Sequence, residues 1–71
     1  MTLRELRENR SYTLKEVGDA CGVTPQAVSS WELGKTSPNP TQLRKLSEFY
    51  GLSVPEMREV IRQTLASVGG T

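Results

Sequence analysis

The chain has 71 residues, of which 35% are hydrophobic and 6% aromatic, so it can form one small domain with one modest core and is too short for a second. It contains no histidine and a single cysteine, Cys21, which argues against metal clusters, disulfide frameworks and histidine-based catalysis and predicts that no metal or cofactor is bound. Nine lysines and arginines oppose eight carboxylates, and this net charge of +1 gives only weak support for a nucleic-acid partner, which local cationic groups would have to attract.

The first three predicted helices each begin at a threonine whose side chain can cap the first turn. Helix 1 is predicted at 2–9 and helix 2 at 13–21, and in both a glutamate three positions after the threonine completes a capping box. Helix 3 is predicted at 24–32, with a proline in its first helical position. The chain therefore starts as three short helices joined by brief turns.

Two further helices follow, with caps of the same kind. Asn39 begins helix 4, and Ser53 begins helix 5 with a glutamate three positions later. No strand-like alternation is present, so the pattern predicts an all-α fold. Residues 68–71 look loose, and we expect a domain at 1–68 followed by a flexible tail at 69–71.

Each helix carries apolar residues at helical spacing along one side, as expected for helices that surround one core. Gly18 lies inside helix 2, where glycine lowers helix stability by about 1 kcal/mol relative to alanine. We therefore predict that Gly18 makes room for the close approach of helix 3. The predicted core residues are Leu3, Leu6, Val17, Cys21, Val28, Trp31, Leu43, Leu46, Tyr50, Val54, Met57 and Ile61.

The segment 21–24 joins helices 2 and 3 across about three residues. Gly22 can adopt a positive φ there, and Val23 can fill the angle between the two helices. This is the geometry of a helix-turn-helix, whose second helix enters the major groove of DNA. A plain corner between two helices of a bundle is the structural alternative.

At this point the chain resembles the lambda-repressor-like, or Cro-type, helix-turn-helix family, over residues 1 to about 58. The resemblance implies an all-α, five-helix DNA-binding domain with its helix-turn-helix at helices 2 and 3. The matching segments are the opening helix at 3–10, Val17-Gly18 with Gly22-Val23-Thr24 at the turn, Glu32-x-Gly34-x-x-x-Pro38 after helix 3, Leu43-x-x-Leu46-Ser47 in helix 4 and Gly51-Leu52-Ser53-Val54 before helix 5.

The family implies an ion pair between Arg7 of helix 1 and Glu32 at the end of helix 3. An arginine on the Leu3/Leu6 side of helix 1 would face the bundle, and a partly buried guanidinium requires a carboxylate partner. The alternative is that both side chains are exposed and independently solvated.

The family also reads base edges with side chains near the start of helix 3 and one turn later, which implies Pro25, Gln26, Ala27 and Ser30. Gln26 is the strongest candidate, because a carboxamide can bond adenine through two atoms. Pro25 and Ala27 offer only apolar contact, and Ser30 specifies weakly, so we expect few direct base contacts and more dependence on DNA shape. A solvated Gln26 and a Pro25 that only starts the helix are the alternatives.

Phosphate contacts are expected from helix N-termini and from nearby hydroxyl, amide and cationic side chains. Leu14 departs from the family, which often has a glutamine at this position, so the corresponding contact is in doubt. The predicted phosphate-binding residues are Arg10, Thr13, Lys15, Thr24, Ser29, Lys35, Thr36 and Asn39.

Two residues have both a functional and a structural interpretation. Trp31 could stack on single-stranded bases, but one aromatic residue beside Val28 is more typical of a core. Cys21 could sense redox state, but at the end of helix 2 it is more typical of a small buried hydrophobe.

A single recognition helix reads few base pairs, so we expect a homodimer that binds a two-fold site. The apolar stripe of helix 5 is wider than a small core requires. We expect Val54, Met57 and Ile61 to close the chain's own core, which leaves Val60, Leu65 and Val68 for the dimer interface.

The sequence therefore predicts a non-enzymatic regulator, most simply a repressor that binds a palindromic double-stranded DNA operator as a homodimer. No transmembrane or secretory segment is evident, so we expect a cytoplasmic protein. One alternative is an antitoxin, which would also bind a toxin protein, or a restriction-modification controller of the same fold. Another is a protein-interaction module that has lost DNA binding, suggested by the near-neutral charge.

Overall fold

Local capping bonds define where the helices begin. The computed structural model describes residues 1–69, and in that part of the chain it contains five helices and no strand. Their bounds are α1 Leu3–Asn9, α2 Leu14–Cys21, α3 Pro25–Glu32, α4 Pro40–Tyr50 and α5 Val54–Gly69. The predicted all-α fold and the predicted helix starts are confirmed.

The capping boxes form as the sequence predicts. At the start of α2, the Thr13 backbone N–H donates to Glu16 Oε1 at 2.9 Å, and the Glu16 backbone N–H donates to Thr13 Oγ1 at 3.1 Å. Equivalent reciprocal pairs begin α1, α4 and α5. At α3 the Thr24 hydroxyl oxygen accepts from the Ala27 backbone N–H at 3.2 Å. In each helix, the cap side chain pairs one of the four N–H groups that a helix start leaves without an intrahelical partner.

One apolar core joins the five helices. Helix α2 packs against α3 and α4, and α5 packs against α4 and α1. Trp31 and Cys21 are only 4% and 3% exposed, so their structural interpretation is confirmed, and burial raises the pKa of the Cys21 thiol. The buried apolar residues are Leu3, Leu6, Val17, Cys21, Val28, Trp31, Leu46, Tyr50 and Met57, and Leu43 and Ile61 pack against them while half-buried.

Close backbone contact at Gly18 sets the corner between α2 and α3. A Cβ on Gly18 would lie 2.8 Å from the Val23 carbonyl oxygen and 3.3 Å from the Thr24 carbonyl carbon. Gly22, with φ +72°, ends α2 in the left-handed conformation. The predicted role of Gly18 is confirmed, because any larger residue would push the start of α3 away.

Helix α5 is tied to the rest of the chain at two places. Thr64, 1% exposed, accepts from the Leu3 backbone N–H and donates to the Val60 carbonyl, both at 2.8 Å. One helical turn later, Val68 packs directly on Gly34, after α3. The helix runs through Gly69, so it includes the first residue of the predicted tail, whereas residues 70–71 lie outside the described part of the chain. Within residues 1–69, no helix combines the length and the apolar character that a membrane span requires.

Candidate nucleic-acid interface

Helix α3 buries one side and presents the other to solvent. Val28 and Trp31 are buried in the core, whereas Gln26 is exposed on the opposite side. Three small residues flank Gln26 and are half-buried, namely Pro25, Ala27 and Ser30. The four predicted base-reading residues thus share the first two turns of α3, and only Gln26 extends a long polar side chain from them.

Two helix N-termini with threonine caps stand on either side of this corner. Thr13 caps α2 and Thr24 caps α3, and both are exposed. Each hydroxyl oxygen accepts a backbone N–H, which leaves the hydroxyl hydrogen available to donate. Because a helix N-terminus carries partial positive charge, each threonine can donate to an anion where the backbone also attracts one.

Backbone hydrogen bonds hold the turn after α3 against the second half of that helix. The Ser30 carbonyl accepts from the backbone N–H groups of Lys35 and Thr36, at 3.0 and 3.5 Å. Lys35 and Thr36 are both exposed, as is Asn39, which caps α4 through its Oδ1. This part of the chain therefore brings a cation and a hydroxyl, those of Lys35 and Thr36, next to Ser30 of α3.

A cleft of about 350 Å³ connects the start of α2 with α3 and with the end of α5. Leu14 and Ser29 both line it, together with Leu33 and Val68. Leu14 is half-buried against the core, so it supports α3 by packing where the family often has a polar side chain. Ser29, one of the predicted phosphate-binding residues, lies at the edge of this cleft.

Arg10 and Lys15 both have partners within the chain. The Arg10 guanidinium donates to the Tyr50 carbonyl at 3.1 Å, at the C-terminal end of α4, and lies 6.0 Å from the centre of the Tyr50 ring. That end of an 11-residue helix is about 16 Å from its Asn39 cap, so Arg10 is not brought together with Lys35 and Asn39. Lys15 is exposed and pairs with Asp19 at 2.9 Å, which raises the pKa of the lysine.

The Arg7–Glu32 pair that the family resemblance implies is present. Arg7 Nε and Nη2 donate to the two Glu32 carboxylate oxygens at 2.7 and 3.2 Å, and Nη1 donates to the Tyr12 carbonyl at 2.9 Å. The side chains are 16% and 7% exposed. The hydrogen bonds to Glu32 raise the pKa of Arg7, so the guanidinium is charged at every accessible pH. The pair joins α1 to the last residue of α3 and holds that helix in place.

The three predicted dimer-interface residues do not form one free stripe. Val60 is half-buried and packs against the chain's own core, whereas the sequence left it for a partner. Leu65 and Val68 are 42% and 40% exposed and lie over Gly34. Leu33, which follows α3 and is 51% exposed, joins them. We call Leu33, Leu65 and Val68 the corner patch.

Sequence reasoning missed three further features of this surface. Arg44 and Lys45 are exposed cations on α4 with no ion pair among residues 1–69, and Lys45 Nζ lies 3.8 Å from where a Cβ on Gly22 would stand. No pattern in the sequence around Leu33 indicates that its side chain is exposed. Thr64 could have been found, because it follows Met57 and Ile61 at helical spacing and therefore lies on the buried side of α5.

Comparison with known proteins agrees with this geometry. A family model described as helix-turn-helix matches residues 3–57. The regulator DdrOP3 of Deinococcus deserti is 35% identical over 57 residues, which cover 80% of this chain and 44% of that protein. The phage CTXphi transcriptional repressor RstR of Vibrio cholerae is 33% identical over 55 residues, 78% of this chain and 50% of that protein.

The transcriptional activator BcrR of Enterococcus faecalis is 31% identical over 55 residues, 78% of this chain and 27% of that protein. The chain thus spans half or less of the length of these curated relatives. No solved structure matches it. All three relatives are named as regulators of transcription, which agrees with the prediction of a non-enzymatic function. The chain therefore belongs to the lambda-repressor-like helix-turn-helix family.

Proposed function

We propose that the chain is a sequence-specific double-stranded DNA-binding regulator of transcription that inserts α3 into the major groove. The observation that carries this proposal is the division of α3 into two sides. One side is anchored by Trp31 and by the Glu32 pair with Arg7, and the other presents Gln26 between small residues. A short helix that is anchored on its buried side and carries small residues on its exposed side fits a groove about 12 Å wide.

Base reading then depends mainly on Gln26, whose carboxamide can bond adenine N6 and N7 together. Pro25 and Ala27 fit against thymine methyl groups, and Ser30 contributes a hydroxyl. With so few polar reading groups, part of the specificity comes from sequence-dependent DNA shape. The preferred site is therefore A·T-containing at the position that Gln26 faces.

Phosphate binding is assigned to groups around α3. Thr13, Thr24 and Ser29 supply hydroxyls, Asn39 an amide, and the Lys35–Thr36 segment a cation with a hydroxyl. Lys15 lies on the same helix as Thr13, and its pair with Asp19 is exposed, so a phosphate can replace the carboxylate at little cost. Arg10 is left out of this set because it is bound to the end of α4.

The distribution of charge supports this assignment better than the net charge does. In residues 1–69, the carboxylates of Glu5, Glu16 and Glu56 are engaged in helix caps. Several cations, by contrast, have no carboxylate partner within that part of the chain. These are Arg10, Lys35, Arg44, Lys45 and Arg58, and of these five Lys35 and Lys45 lie beside the turns that flank α3.

We further propose that the chain acts as a repressor and that a homodimer occupies a palindromic operator. Two-fold symmetry doubles the length of sequence that is read, which one short helix cannot do alone. Occupying an operator blocks a promoter without any further contact, whereas activation needs an additional surface for the transcription machinery. The similarity to the repressor RstR supports this choice.

Selection of bound duplexes from a random pool, with the purified chain at near-physiological salt, tests the proposal. Enrichment of an inverted repeat with half-sites about one helical turn apart is the expected result. Recovery of no preferred sequence would contradict sequence-specific binding and would favour a protein-interaction module. Co-purification of an unrelated small protein would favour an antitoxin.

A further inference from the structure

A groove of about 480 Å³ lies between α1 and the first half of α5, and the proposed DNA contacts do not use it. Its floor is apolar, because Leu6 is 5% exposed and Leu52 and Val60 are half-buried against the core. Arg10, which directly follows α1, also lines it. We call this cavity the α1–α5 groove.

The Arg10 guanidinium is held in place without being neutralised. Its Nη1 donates to the Tyr50 carbonyl at 3.1 Å, which uses one of the five N–H donors of an arginine. No carboxylate within residues 1–69 pairs with it. A planar guanidinium that is fixed at one edge can still form a two-bond pair with a carboxylate through another edge.

The two carboxylates that line the α1–α5 groove already accept hydrogen bonds from the chain. Glu56 Oε1 accepts from the Ser53 backbone N–H at 2.9 Å. Glu59 accepts from Arg62 Nε at 2.9 Å and from Gln63 Nε2 at 3.3 Å. The charged donors that remain available to a ligand are therefore those of Arg10.

We propose that the α1–α5 groove binds a small molecule with an apolar body and one carboxylate. The carboxylate pairs with Arg10, and the apolar body covers Leu6, Leu52 and Val60. This inference goes beyond the proposed function and does not depend on it. None of the nine residues that line the groove belongs to the proposed DNA contacts, so the groove stays accessible while α3 lies on DNA.

The size of the groove favours a small molecule over a protein segment. Its volume lies within the range of about 300–1,000 Å³ that is typical of small-molecule sites. A protein interface uses about 20–30 residues on each side, whereas nine line the groove. Helix α1, with seven residues, is only about 10 Å long. An inorganic anion would gain nothing from the apolar floor, so the ligand needs both an apolar body and a charge.

Binding of three naphthalene probes tests the inference. They share one apolar body and differ in charge, namely naphthalene-2-carboxylate, the neutral 2-naphthalenemethanol and the cationic 2-naphthylmethylammonium. Each is titrated into the full, ¹⁵N-labelled chain, and backbone amide shifts are followed by NMR. We expect saturable shifts at Leu6, Leu52 and Val60 with the carboxylate, and at least tenfold weaker binding of the other two probes, which cannot accept a charged pair from Arg10.

Arg10→Gln tests the assigned charge. Glutamine can still donate to the Tyr50 carbonyl but carries no charge, so we expect affinity for naphthalene-2-carboxylate to fall about tenfold and affinity for the alcohol to stay the same. Arg58→Gln is the matched control, since Arg58 is an exposed arginine of α5 that has no carboxylate partner within residues 1–69 and does not line the groove. It should change neither affinity, and circular dichroism verifies that both variants keep their helices.

Equal binding of the three probes, or tighter binding of the ammonium, would overturn the inference on the wild-type chain alone, without any variant. Shifts outside the α1–α5 groove, or no saturable shift with the carboxylate, would also overturn it. So would equal losses in Arg10→Gln and Arg58→Gln. Each of these results leaves DNA binding through α3 untouched, because the groove shares no residue with that surface.

Discussion

Gly34 lies directly beneath Val68, so that a Cβ on Gly34 would overlap Cγ2 of Val68 and come 3.6 Å from Leu65 Cδ2. This contact joins two parts of the chain that are more than thirty residues apart. Because Gly34 also has φ +73°, it is required at this position both by the backbone and by the neighbouring side chain. The contact allows α5 to close over the turn that holds Lys35 and Thr36.

Replacing Gly34 tests this packing, and Gly51 provides a matched control. Both glycines have φ near +70°, but no atom lies within 4 Å of a Cβ on Gly51. We expect Gly51→Ala to lower the free energy of unfolding by about 1 kcal/mol through backbone strain alone, and Gly34→Ala to lower it by about 3 kcal/mol because overlap is added. Urea denaturation measures both, and Val68→Ala should restore part of the loss in Gly34→Ala. Equal losses in the two glycine variants would mean that α5 does not pack on Gly34.

Arg7→Lys tests the ion pair with Glu32, which joins α1 to the end of α3. Lysine keeps the charge but cannot donate at once to both Glu32 oxygens and the Tyr12 carbonyl, so we expect the free energy of unfolding to fall by about 2 kcal/mol. Arg4→Lys is the control, since Arg4 forms an exposed pair with Glu8 at 3.4 Å and its replacement should cost less than about 0.5 kcal/mol. Urea denaturation again provides the measurement, and similar losses in both variants would remove the special role of the Glu32 pair.

Gln26→Ala tests base reading. We expect affinity for the selected operator to fall by about 1–3 kcal/mol while affinity for random duplex is unchanged, because only base-edge bonds are removed. Asn9→Ala removes another exposed carboxamide, in the groove between α1 and α5, and should change neither affinity. Fluorescence anisotropy titrations on the two duplexes measure both variants. Equal losses on operator and random DNA would assign Gln26 to the phosphate backbone instead.

Tyr50→Phe tests a buried hydroxyl without a partner. The Tyr50 side chain is 2% exposed, its hydroxyl has no hydrogen-bond partner among residues 1–69, and burial raises its pKa. Because an unpaired buried hydroxyl destabilises a fold, we expect Tyr50→Phe to raise the free energy of unfolding by about 1 kcal/mol. Tyr12→Phe, in the same aromatic cluster, should change it little. A loss of stability in Tyr50→Phe would show that the hydroxyl is bonded in solution.

Acid should weaken the fold through three glutamates. The Thr2 and Ser53 backbone N–H groups lower the pKa of Glu5 and Glu56, and Arg62 lowers that of Glu59 to about 2. A carboxylate with a lowered pKa stabilises the folded state above its unfolded pKa, and this contribution disappears as the pH falls through the folded pKa. Melting temperature should therefore fall between about pH 4.5 and pH 2, and more gradually in a Glu5→Gln, Glu56→Gln, Glu59→Gln variant. Identical pH profiles would contradict these roles.

The sequence by itself determined the helices, the turn and the family, because these depend on bonds between near neighbours. A capping box such as Thr13 with Glu16 is complete within four residues. Glycine lowers the stability of a helix, so the presence of Gly18 inside α2 already predicted a packing role. The candidate reading residues followed from their place in the family's pattern, and the structure brings Gln26 to the exposed side of α3.

Only the tertiary structure decided the surfaces that depend on α5 and on the end of α4. The helical spacing of apolar residues placed Val60, Leu65 and Val68 in an apolar stripe on α5. It could not show that Val60 joins the core while the other two lie over Gly34. Nor could charge show that Arg10 binds the Tyr50 carbonyl. The contacts of Gly34 with Leu65 and Val68 and of Arg10 with Tyr50 join residues thirty or more positions apart. Such partners are selected by how whole helices pack, which no local pattern encodes.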